Sequence, residues 1–408
     1  MKTKFEKKSC DQWEIKVATS FEEIEDIRPI WEKMQSDEPC PVPNTDIDRY
    51  LSVVKTRGDD VRPYIMVVKY DGRPVTLMIG WIEQRRLDLK LGYKTLFSPM
   101  LRYLSIVYGG IIGQPSAELS KVLIGELMRK FRSREVDVLY FNHLKTETAF
   151  YQLVRKMPPL LTRDYFHKVE DHWRMSVPEN IDQFFSARKR GHRYKLRRAI
   201  KKYGEKFPGD NMFIKYTATN EVEDFIIKAA DISSKTYQSA LGVGIVNDEG
   251  TKSLLKEAAM RGWFRGNILM ADSKPCAFLL GLAYKNVYYG VSTGYDPAFR
   301  SYWPGTIIFL KVLESLCADT SIEMVDFYFG DAWYKQSYGT EHWPEASAYI
   351  FAPKLRLTLI NLLRSSMMCM NNVLEYLVNK IEAVNWIKRK WRGLLQPKGS
   401  VDRVWTDI

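Results

Sequence analysis

The sequence YYGVSTGYDPAFRSYWPGTIIFLKVLESLCADTSIEMVDFYFGDAWYKQSYG, from Tyr288 to Gly339, decides the fold. Its pattern predicts an apolar strand over Val287 to Gly294, a helix over Ile307 to Cys317, and a second strand over Met324 to Phe329. A helix that connects two buried strands indicates a right-handed parallel crossover. The stretch therefore predicts an α/β fold with parallel strands at its centre.

Two features of this stretch are typical of ligand binding. Pro304-Gly305-Thr306 opens the helix, and the backbone N–H groups at a helix start can hold a phosphate. A Pro-Gly turn that only starts a helix is the alternative. Polar residues follow the second strand, at the edge where open α/β sheets place their ligands: Asp331, Tyr334, Lys335 and Tyr338.

Length, charge and cysteine usage set the class of protein. A chain of 408 residues favours two domains over one core. No apolar run is long enough to span a membrane, and the charged stretch Met1 to Lys8 does not resemble a secretory signal. The five scattered cysteines predict neither disulfides nor a zinc site, and the histidines show no metal-type spacing. Lys plus Arg exceeds Asp plus Glu by 61 − 49 = 12, which favours anionic partners.

The chain contains one order of elements twice. A predicted β-hairpin over Tyr64 to Gly80 and another over Ile268 to Gly281 each have a proline after the turn and a glycine six residues later. Each hairpin is followed by a helix and a strand that begins Val-Asp, at Val136 and Val325. We place the strand and helix that open the second copy at Met175 to Val177 and Ile181 to Tyr203. His143 is expected just past the last strand of the first copy, where the second copy has Asp331.

The last part of the chain is predicted to be helical and basic. Over Lys354 to Leu395 the apolar residues recur on one helical face, and the segment ends with Lys388-Arg389-Lys390-Trp391-Arg392. One interpretation is a helix packed on the domains or on a second subunit. The other is an in-plane membrane anchor with Trp386 and Trp391 at the interface.

With these elements placed, the second half resembles the GNAT acyltransferase superfamily. The closest branch is the one associated with cellulose or polysaccharide biosynthesis, related to the FemABX aminoacyltransferases. The likeness covers roughly Ile181 to Phe351 and rests on four pieces: the basic run Arg193 to Ala199 led by Ser186, the strand Tyr289 to Asp296, Pro304-Gly305, and Asp326 to Gly330 followed by Tyr334-Lys335. Trp303 stands where relatives commonly have serine, and Lys235-Thr236-Tyr237 stands near their Trp-Lys pair.

The resemblance implies transfer of an acyl group from a thioester, with acyl-CoA as donor and no metal. Trp303, Gly305 and Thr306 would bind the donor phosphates. Tyr334 would protonate the leaving thiolate, and Asp331 would take the proton of the acceptor. Lys335 would stabilise the carbonyl oxygen or hold a carboxylate. The alternative is a capped helix with a surface lysine and a packed tyrosine.

Four further residues are candidates for binding the acceptor: Arg193, Tyr295, Asp296 and Asp326. On a helix, Arg190, Arg193, Arg197 and Lys201 share one face, which is a solvated face, a surface for an anionic ligand, or a nucleic-acid contact. Asp296-Pro297 is also a common turn initiator. Asp326 lies mid-strand and needs a partner, for which Lys335 and Arg193 are the candidates, in a structural or a catalytic role.

The sequence thus predicts an α/β (α+β) protein with two tandem GNAT-like domains, each with a mixed central sheet, and a C-terminal helical extension. The boundaries are 1–165, 166–353 and a basic amphipathic tail at 354–408. The expected function is N- or O-acyl transfer to a sugar, lipid or cell-envelope precursor, in the cytoplasm and on the inner face of the membrane. The expected partners are the acyl donor, the acceptor, the membrane through 354–408, and a second copy. The alternatives are a FemABX-like transferase that uses aminoacyl-tRNA, with tRNA as the expected nucleic acid, and a non-catalytic membrane-associated scaffold.

Overall fold

A computed structural model describes residues 13–92, 94–209, 213–236, 244–330 and 332–380. The strands, in chain order, are β1 (Trp13–Ala18), β2 (Val61–Tyr70), β3 (Arg73–Arg86), β4 (Leu89–Leu91), β5 (Lys94–Phe97), β6 (Met100–Ile112), β7 (Val138–Lys145), β8 (Val169–Ser176), β9 (Phe213–Tyr216), β10 (Phe264–Ala271), β11 (Lys274–Tyr284), β12 (Val287–Tyr295), β13 (Met324–Phe329) and β14 (Glu341–Phe351). The helices are α1 (Phe21–Asp37), α2 (Ile47–Arg57), α3 (Ala117–Arg129), α4 (Ala149–Lys156), α5 (Ile181–Ser186), α6 (Arg190–Lys206), α7 (Val222–Ser234), α8 (Glu249–Met260), α9 (Pro304–Cys317), α10 (Trp333–Tyr338) and α11 (Leu355–Lys380).

The described residues form two compact units. The first unit contains residues 13–170 and 344–380, and the second contains residues 171–343. The predicted division at 165 lies near the first boundary. The predicted division at 353 does not coincide with a boundary, because β14 pairs with β7 and α11 follows it into the first unit.

The first unit is built on a mixed sheet in the order β1-β2-β3-β6-β7-β14. Its neighbouring strands are antiparallel except β6 and β7, which are parallel and joined by α3. The apolar face of α3, with Leu123, Ile124 and Leu127 fully buried, packs on this sheet. Helix α1 begins at a capping box, in which Ser20 accepts from the Glu23 N–H.

The second unit repeats this arrangement in the order β8-β13-β12-β11-β10-β9. The parallel pair is β12 and β13, joined by α9, which confirms the predicted crossover. Helix α9 begins at Pro304, three residues before the predicted start, and buries Ile308 and Leu313 in the core. The α/β fold with two GNAT-like units and mixed sheets is as the sequence predicted.

The two hairpins correspond in detail. Their turns have two consecutive residues with positive φ, Asp71-Gly72 and Asp272-Ser273, as a two-residue hairpin turn requires. The glycines that the sequence singled out, Gly80 and Gly281, each lie beside a shift in strand register. A Cβ at Gly80 would approach the Ser105 carbonyl oxygen to 2.4 Å, and one at Gly281 would approach the Tyr288 ring to 2.2 Å. Both positions therefore require glycine for close packing.

The match between the beginnings of the two copies was wrong. The strand that occupies the place of β1 at the edge of the second sheet is β9, which pairs with β10 as β1 pairs with β2. Strand β8 instead pairs with β13. The predicted helix over Ile181 to Tyr203 is two helices, α5 and α6, separated by residues 187–189. Strand β8 therefore has the position in the second sheet that β14 has in the first, antiparallel to the last strand of the parallel pair.

Helix α11 packs on the first unit through one face. Arg364 forms an ion pair with the buried Asp164, at 2.5 Å, and Leu357 and Ile360 join the core. Among the described residues no helix combines the length and apolarity needed to cross a bilayer. Trp386, Trp391 and the basic run at 388–392, on which the anchor interpretation also rests, lie outside the described residues.

Candidate active site

The parallel strands of the second unit separate partway along their length. Strands β12 and β13 pair only from Val287–Met324 to Tyr289–Asp326, although β12 continues to Tyr295 and β13 to Phe329. Beyond that point no strand of the described residues pairs with the edge of β12 that faced β13. Backbone groups left unpaired inside a protein need another partner, and an extended ligand with amide groups can supply one.

A bulge in β13 accounts for the separation. Tyr328 has φ +55, and the register of β13 with β8 shifts between Asp326 and Phe329. A bulge bends its strand and re-aims the side chains around it. The bend begins at Asp326, where the pairing with β12 ends.

Helix α9 begins beside the end of β12. Trp303 has φ +58 and its carbonyl accepts the N–H groups of Thr306 and Ile307. The Thr306 N–H therefore already has an acceptor within the turn. It is not free to bind a phosphate, although the sequence predicted that it would do so. Within the described part of the chain the Gly305 N–H has no acceptor. A Cβ at Gly305 would lie 3.3 Å from the Tyr295 ring, so the structure brings Trp303, Gly305, Thr306 and Tyr295 together.

Asp296 forms the turn that leads to this helix. Its Oδ1 accepts from the Ala298 N–H at 2.9 Å, and its Oδ2 lies 3.3 Å from Lys235 Nζ. Of the two roles considered for Asp296, the structure shows the turn. The ion pair with Lys235 also joins α7 to the loop that precedes α9.

A half-buried cation lies beside aromatic rings that pack on α9. Arg188, between α5 and α6, donates from Nη1 to the Phe184 carbonyl at 2.6 Å and stacks on the Phe184 ring. No described carboxylate pairs with it, and burial lowers its pKa to about 10. A half-buried arginine without a carboxylate favours the binding of an anion, because the anion would replace the solvation that the arginine has lost.

Aromatic rings stack beside Arg188. The Tyr338 ring lies parallel to Phe309 of α9, with centroids 4.6 Å apart, and parallel to His192 at 6.1 Å. Burial raises the pKa of Tyr338 to about 12, against smaller lowering effects of the Thr306 hydroxyl and of Arg188. Three buried atoms in this group have no hydrogen-bond partner among the residues that the structure describes: Arg188 Nε, His192 Nε2 and Tyr338 Oη.

Arg188 and His192 were not predicted to belong to the site, and Tyr338 was predicted only to lie near it as a polar residue. The available signal was the acid-free run that begins at Arg188, which was interpreted through its exposed helical face. On that face Arg193 is half-buried and forms no ion pair with described residues, while Arg190, Arg197 and Lys201 are exposed. On the other face of this helix Leu196, Ala199 and Tyr203 are buried, while Ile200 is exposed.

Asp326 forms a buried ionic cluster with residues other than those predicted. Its Oδ1 lies 2.7 Å from His172 Nε2, and its Oδ2 accepts from Arg174 Nε at 2.6 Å. Neither Lys335 nor Arg193 is its partner. Burial alone would raise the pKa of Asp326, but His172 and Arg174 hold it below its ordinary value. Trp343 stacks on His172, with centroids 4.5 Å apart, and lies against Arg174.

The residues after β13 divide into two roles. Lys335 is buried, and its Nζ donates to the Phe329 carbonyl at 2.5 Å, so it holds the end of β13. Tyr334 is half-buried against Phe327, and burial raises its pKa to about 12. Its hydroxyl makes no hydrogen bond with described residues and keeps its proton at neutral pH. Asp331, predicted to be catalytic, lies outside the described residues.

His143 of the first unit lies within β7, not beyond it as expected. It has φ +43, and its ring contacts Asn142, Ser347 and Glu170. Strands β6 and β7 also separate, after Ile106 and Phe141. The space beside β6 is occupied, because a Cβ at Gly109 would meet Val42 at 2.3 Å. No group of metal-binding side chains occurs among the described residues of either unit.

Comparisons with known proteins concern the sequence family and the fold of the chain. Residues 190–336 match the family model described as acetyltransferase (GNAT) domain, a span that contains α6 to α9 and most of α10. No curated protein matches the chain in sequence. The crystal structure of FemX is similar with a TM-score of 0.55 and 10% identity, over 85% of this chain and 100% of that chain. A tandem GNAT protein from the clavulanic acid biosynthesis pathway has a TM-score of 0.50 and 9% identity, over 84% and 99% of the two chains.

These similarities are similarities of fold. They confirm the resemblance to the GNAT superfamily, with FemX among its structural relatives, and the tandem arrangement of two GNAT-like units. The match of residues 190–336 to the acetyltransferase (GNAT) domain model supports acyltransferase activity.

Proposed function

We propose that the second unit of this GNAT-domain protein transfers an acyl group from acyl-CoA to an amine or hydroxyl of a sugar, lipid or cell-envelope precursor. One observation carries the proposal: the gap between β12 and β13 opens beside a helix start whose Gly305 N–H is free of a described acceptor. The gap offers backbone groups to an extended acyl carrier, and the helix start favours its phosphates. Arg188 would supply a positive charge there.

The residues at the end of β13 would carry the proton transfers. The acceptor attacks the thioester carbonyl carbon, the C–S bond breaks, and the sulfur leaves as a thiolate. Tyr334, protonated at neutral pH, would give its proton to that thiolate, and Asp331 would take the proton that the acceptor loses. Lys335 would hold the end of β13 in place and would not contact the carbonyl oxygen of the substrate, because its ammonium group donates to the Phe329 carbonyl. Tyr295 and Arg193 remain proposed contacts of the acceptor.

Transfer from an aminoacyl-tRNA is the second candidate function. It is favoured by the exposed cations of α6, Arg190, Arg197 and Lys201, which could contact phosphates of a nucleic acid. A non-catalytic scaffold is the third candidate, and it requires that no thioester or aminoacyl ester binds.

The same proposal includes the cellular location of the protein and its relation to the polysaccharide-biosynthesis branch of the family. We place the protein in the cytoplasm at the inner face of the membrane, with residues 354–408 as the contact. The acceptor would then be an envelope or polysaccharide precursor held at that surface.

Titration of the purified chain with each donor tests the proposal. Acyl-CoAs of several chain lengths and aminoacyl-tRNA are compared by thermal shift and calorimetry. An acyl-CoA that raises Tm and binds with defined stoichiometry supports the first function, and binding of aminoacyl-tRNA alone supports the second. Absence of binding by every donor overturns both and leaves the scaffold.

Replacing Gly305 by aspartate is expected to weaken donor binding by about tenfold or more, because a carboxylate would take the place of the phosphate at the helix start. The Tyr295 ring must yield by a few tenths of an ångström to admit the Cβ, so folding should persist. The dissociation constant measures the effect. The control is Gly204→Asp in α6, where a Cβ meets nothing within 4 Å. Equal affinities of Gly305→Asp and the wild type would remove the helix start from the donor site.

Replacing Arg188 by methionine should separate binding from stability. Donor affinity is expected to fall by about tenfold, since a hydrogen bond to a charged group contributes about 1.5–3 kcal/mol. Tm without donor should hardly change, because the variant removes a buried charge that has no carboxylate partner. Arg73→Met, on the exposed hairpin turn, is the control. A large loss of Tm with unchanged affinity would make Arg188 a structural residue.

A further inference from the structure

The exposed face of α11 is apolar along most of its described length. Six of its residues recur at helical spacing and are between 41% and 79% exposed: Leu355, Leu359, Leu362, Leu363, Met370 and Val373. From Leu355 to Val373 this face extends about 27 Å, at about 1.5 Å per residue. Contiguous apolar surface of this size marks an interaction site.

The orientation of the helix is determined by its other face. Leu357 and Ile360 are buried, Asn361 donates to the Arg163 carbonyl at 2.6 Å, and Arg364 pairs with Asp164. Nearer its end, Asn371 accepts from the Gly92 N–H of the β4–β5 hairpin. The exposed face therefore cannot turn inward without breaking these contacts.

Charge is sparse in the middle of this helix, and cations lie at its start. Between Leu357 and Leu374 the only charged residue is Arg364, which is paired inside the first unit. At the start of the helix, a cavity of about 390 Å³ is lined by Arg102, Lys354, Arg356 and one carboxylate, Asp137. Arg102 and Lys354 both contact Asp137, at 3.0 and 3.1 Å, and Arg356 is exposed and pairs with no described carboxylate. The cavity therefore has an excess of positive charge.

We propose that the exposed face of α11 docks on a lipid bilayer, with the cavity at its start as the contact for an anionic headgroup. An apolar helical face beside cations is the pattern of helices that lie in the membrane interface. Each cation near an anionic surface contributes favourably to binding. A second copy of the chain is a poorer occupant, because the formal net charge of +12 opposes self-association but favours an anionic bilayer.

Sedimentation of the full chain with vesicles tests this surface. Vesicles with about one third phosphatidylglycerol should pellet the protein, phosphatidylcholine alone should pellet less, and added salt should release it, because salt screens exposed charges beyond about 10 Å. The double variant Leu359→Glu/Leu363→Glu should lower the bound fraction by about tenfold or more, since each leucine loses apolar burial. Ile227→Glu, an equally exposed position on α7 of the second unit, is the matched control.

Three outcomes would contradict the proposal. Unchanged pelleting of the double variant would show that another surface binds the vesicles. A wild-type mass of two chains in light scattering that falls to one in the double variant would assign the face to a second copy. A lower Tm of the double variant without vesicles would show that the chain itself covers the face. Loss of vesicle binding by Arg356→Glu, with Tm unchanged, would support the headgroup contact. The proposal rests on the membrane contact proposed above for residues 354–408. Since none of these measurements uses catalysis, their outcome is independent of the proposed acyl transfer.

Discussion

Replacing Tyr334 by phenylalanine is expected to lower turnover by about 10²- to 10⁴-fold, the usual contribution of a positioned general acid. Burial raises the pKa of the Tyr334 hydroxyl to about 12, so it carries a proton at neutral pH. No described residue accepts a hydrogen bond from it, which leaves that proton available to a leaving thiolate. The variant keeps the ring that packs on Phe327. Donor affinity should therefore remain as in the wild type.

Single-turnover rates with saturating donor measure this effect, and calorimetry measures donor binding in the same variant. Tyr70→Phe, at the edge of the first unit, is the matched loss of a hydroxyl and should leave the rate unchanged. A wild-type rate in Tyr334→Phe would exclude this residue as the acid. A parallel loss of donor affinity would instead make it a binding residue.

Replacing Asp326 by asparagine is expected to destabilise the protein by about 3–5 kcal/mol, the cost of leaving buried charges without their partner. The side chain is fully buried, and both its oxygens bind charged or polar partners on β8. Asparagine offers one oxygen in place of two and no negative charge to Arg174. The free energy of unfolding in urea measures the effect.

Asp224→Asn is the control for Asp326→Asn, because Asp224 is exposed and pairs with Lys228 on the surface of α7. A surface pair contributes about 1 kcal/mol or less. If Asp326→Asn loses no more than Asp224→Asn, the buried cluster does not stabilise the second unit.

The ionisation of Asp326 is expected to make the stability of the protein fall at acidic pH. The pKa of Asp326 in the folded protein lies below its ordinary value, so the folded state favours the ionised form. Its contribution is complete above the unfolded pKa of about 3.9 and is lost as the pH falls through the lower, folded value. Urea unfolding at a series of acidic pH values should show this loss in the wild type and a smaller one in Asp326→Asn.

Local sequence patterns predicted the elements that surround the site. The alternation and turn residues of the two hairpins are short-range signals, and the structure places positive φ values at Asp71 and Asp272. The crossover from β12 through α9 to β13 follows from the handedness of the chain and from two apolar strands. Trp303, Gly305, Thr306 and Tyr295 meet because they lie at the two ends of one short connection.

Partners that are distant in sequence could not be predicted in the same way. Asp326 was expected to need a counter-charge, but the choice of His172 and Arg174 depends on the pairing of β8 with β13. Arg188 lies in a basic run that periodicity assigns to solvent, and it is half-buried because the chain breaks between α5 and α6. The hydrogen bond from the Thr306 N–H to the Trp303 carbonyl likewise depends on the left-handed backbone of Trp303. A tryptophan in the sequence does not predict that conformation.

By itself the sequence determined the class of fold, the repeated hairpins, the crossover and the helix start beside β12, because each depends on residues within a few turns or one connection. Tertiary structure alone decided which strand flanks β13, where β12 and β13 separate, and which face of α11 is exposed. These depend on the pairing and packing of segments far apart in the chain, whose energies no local pattern records.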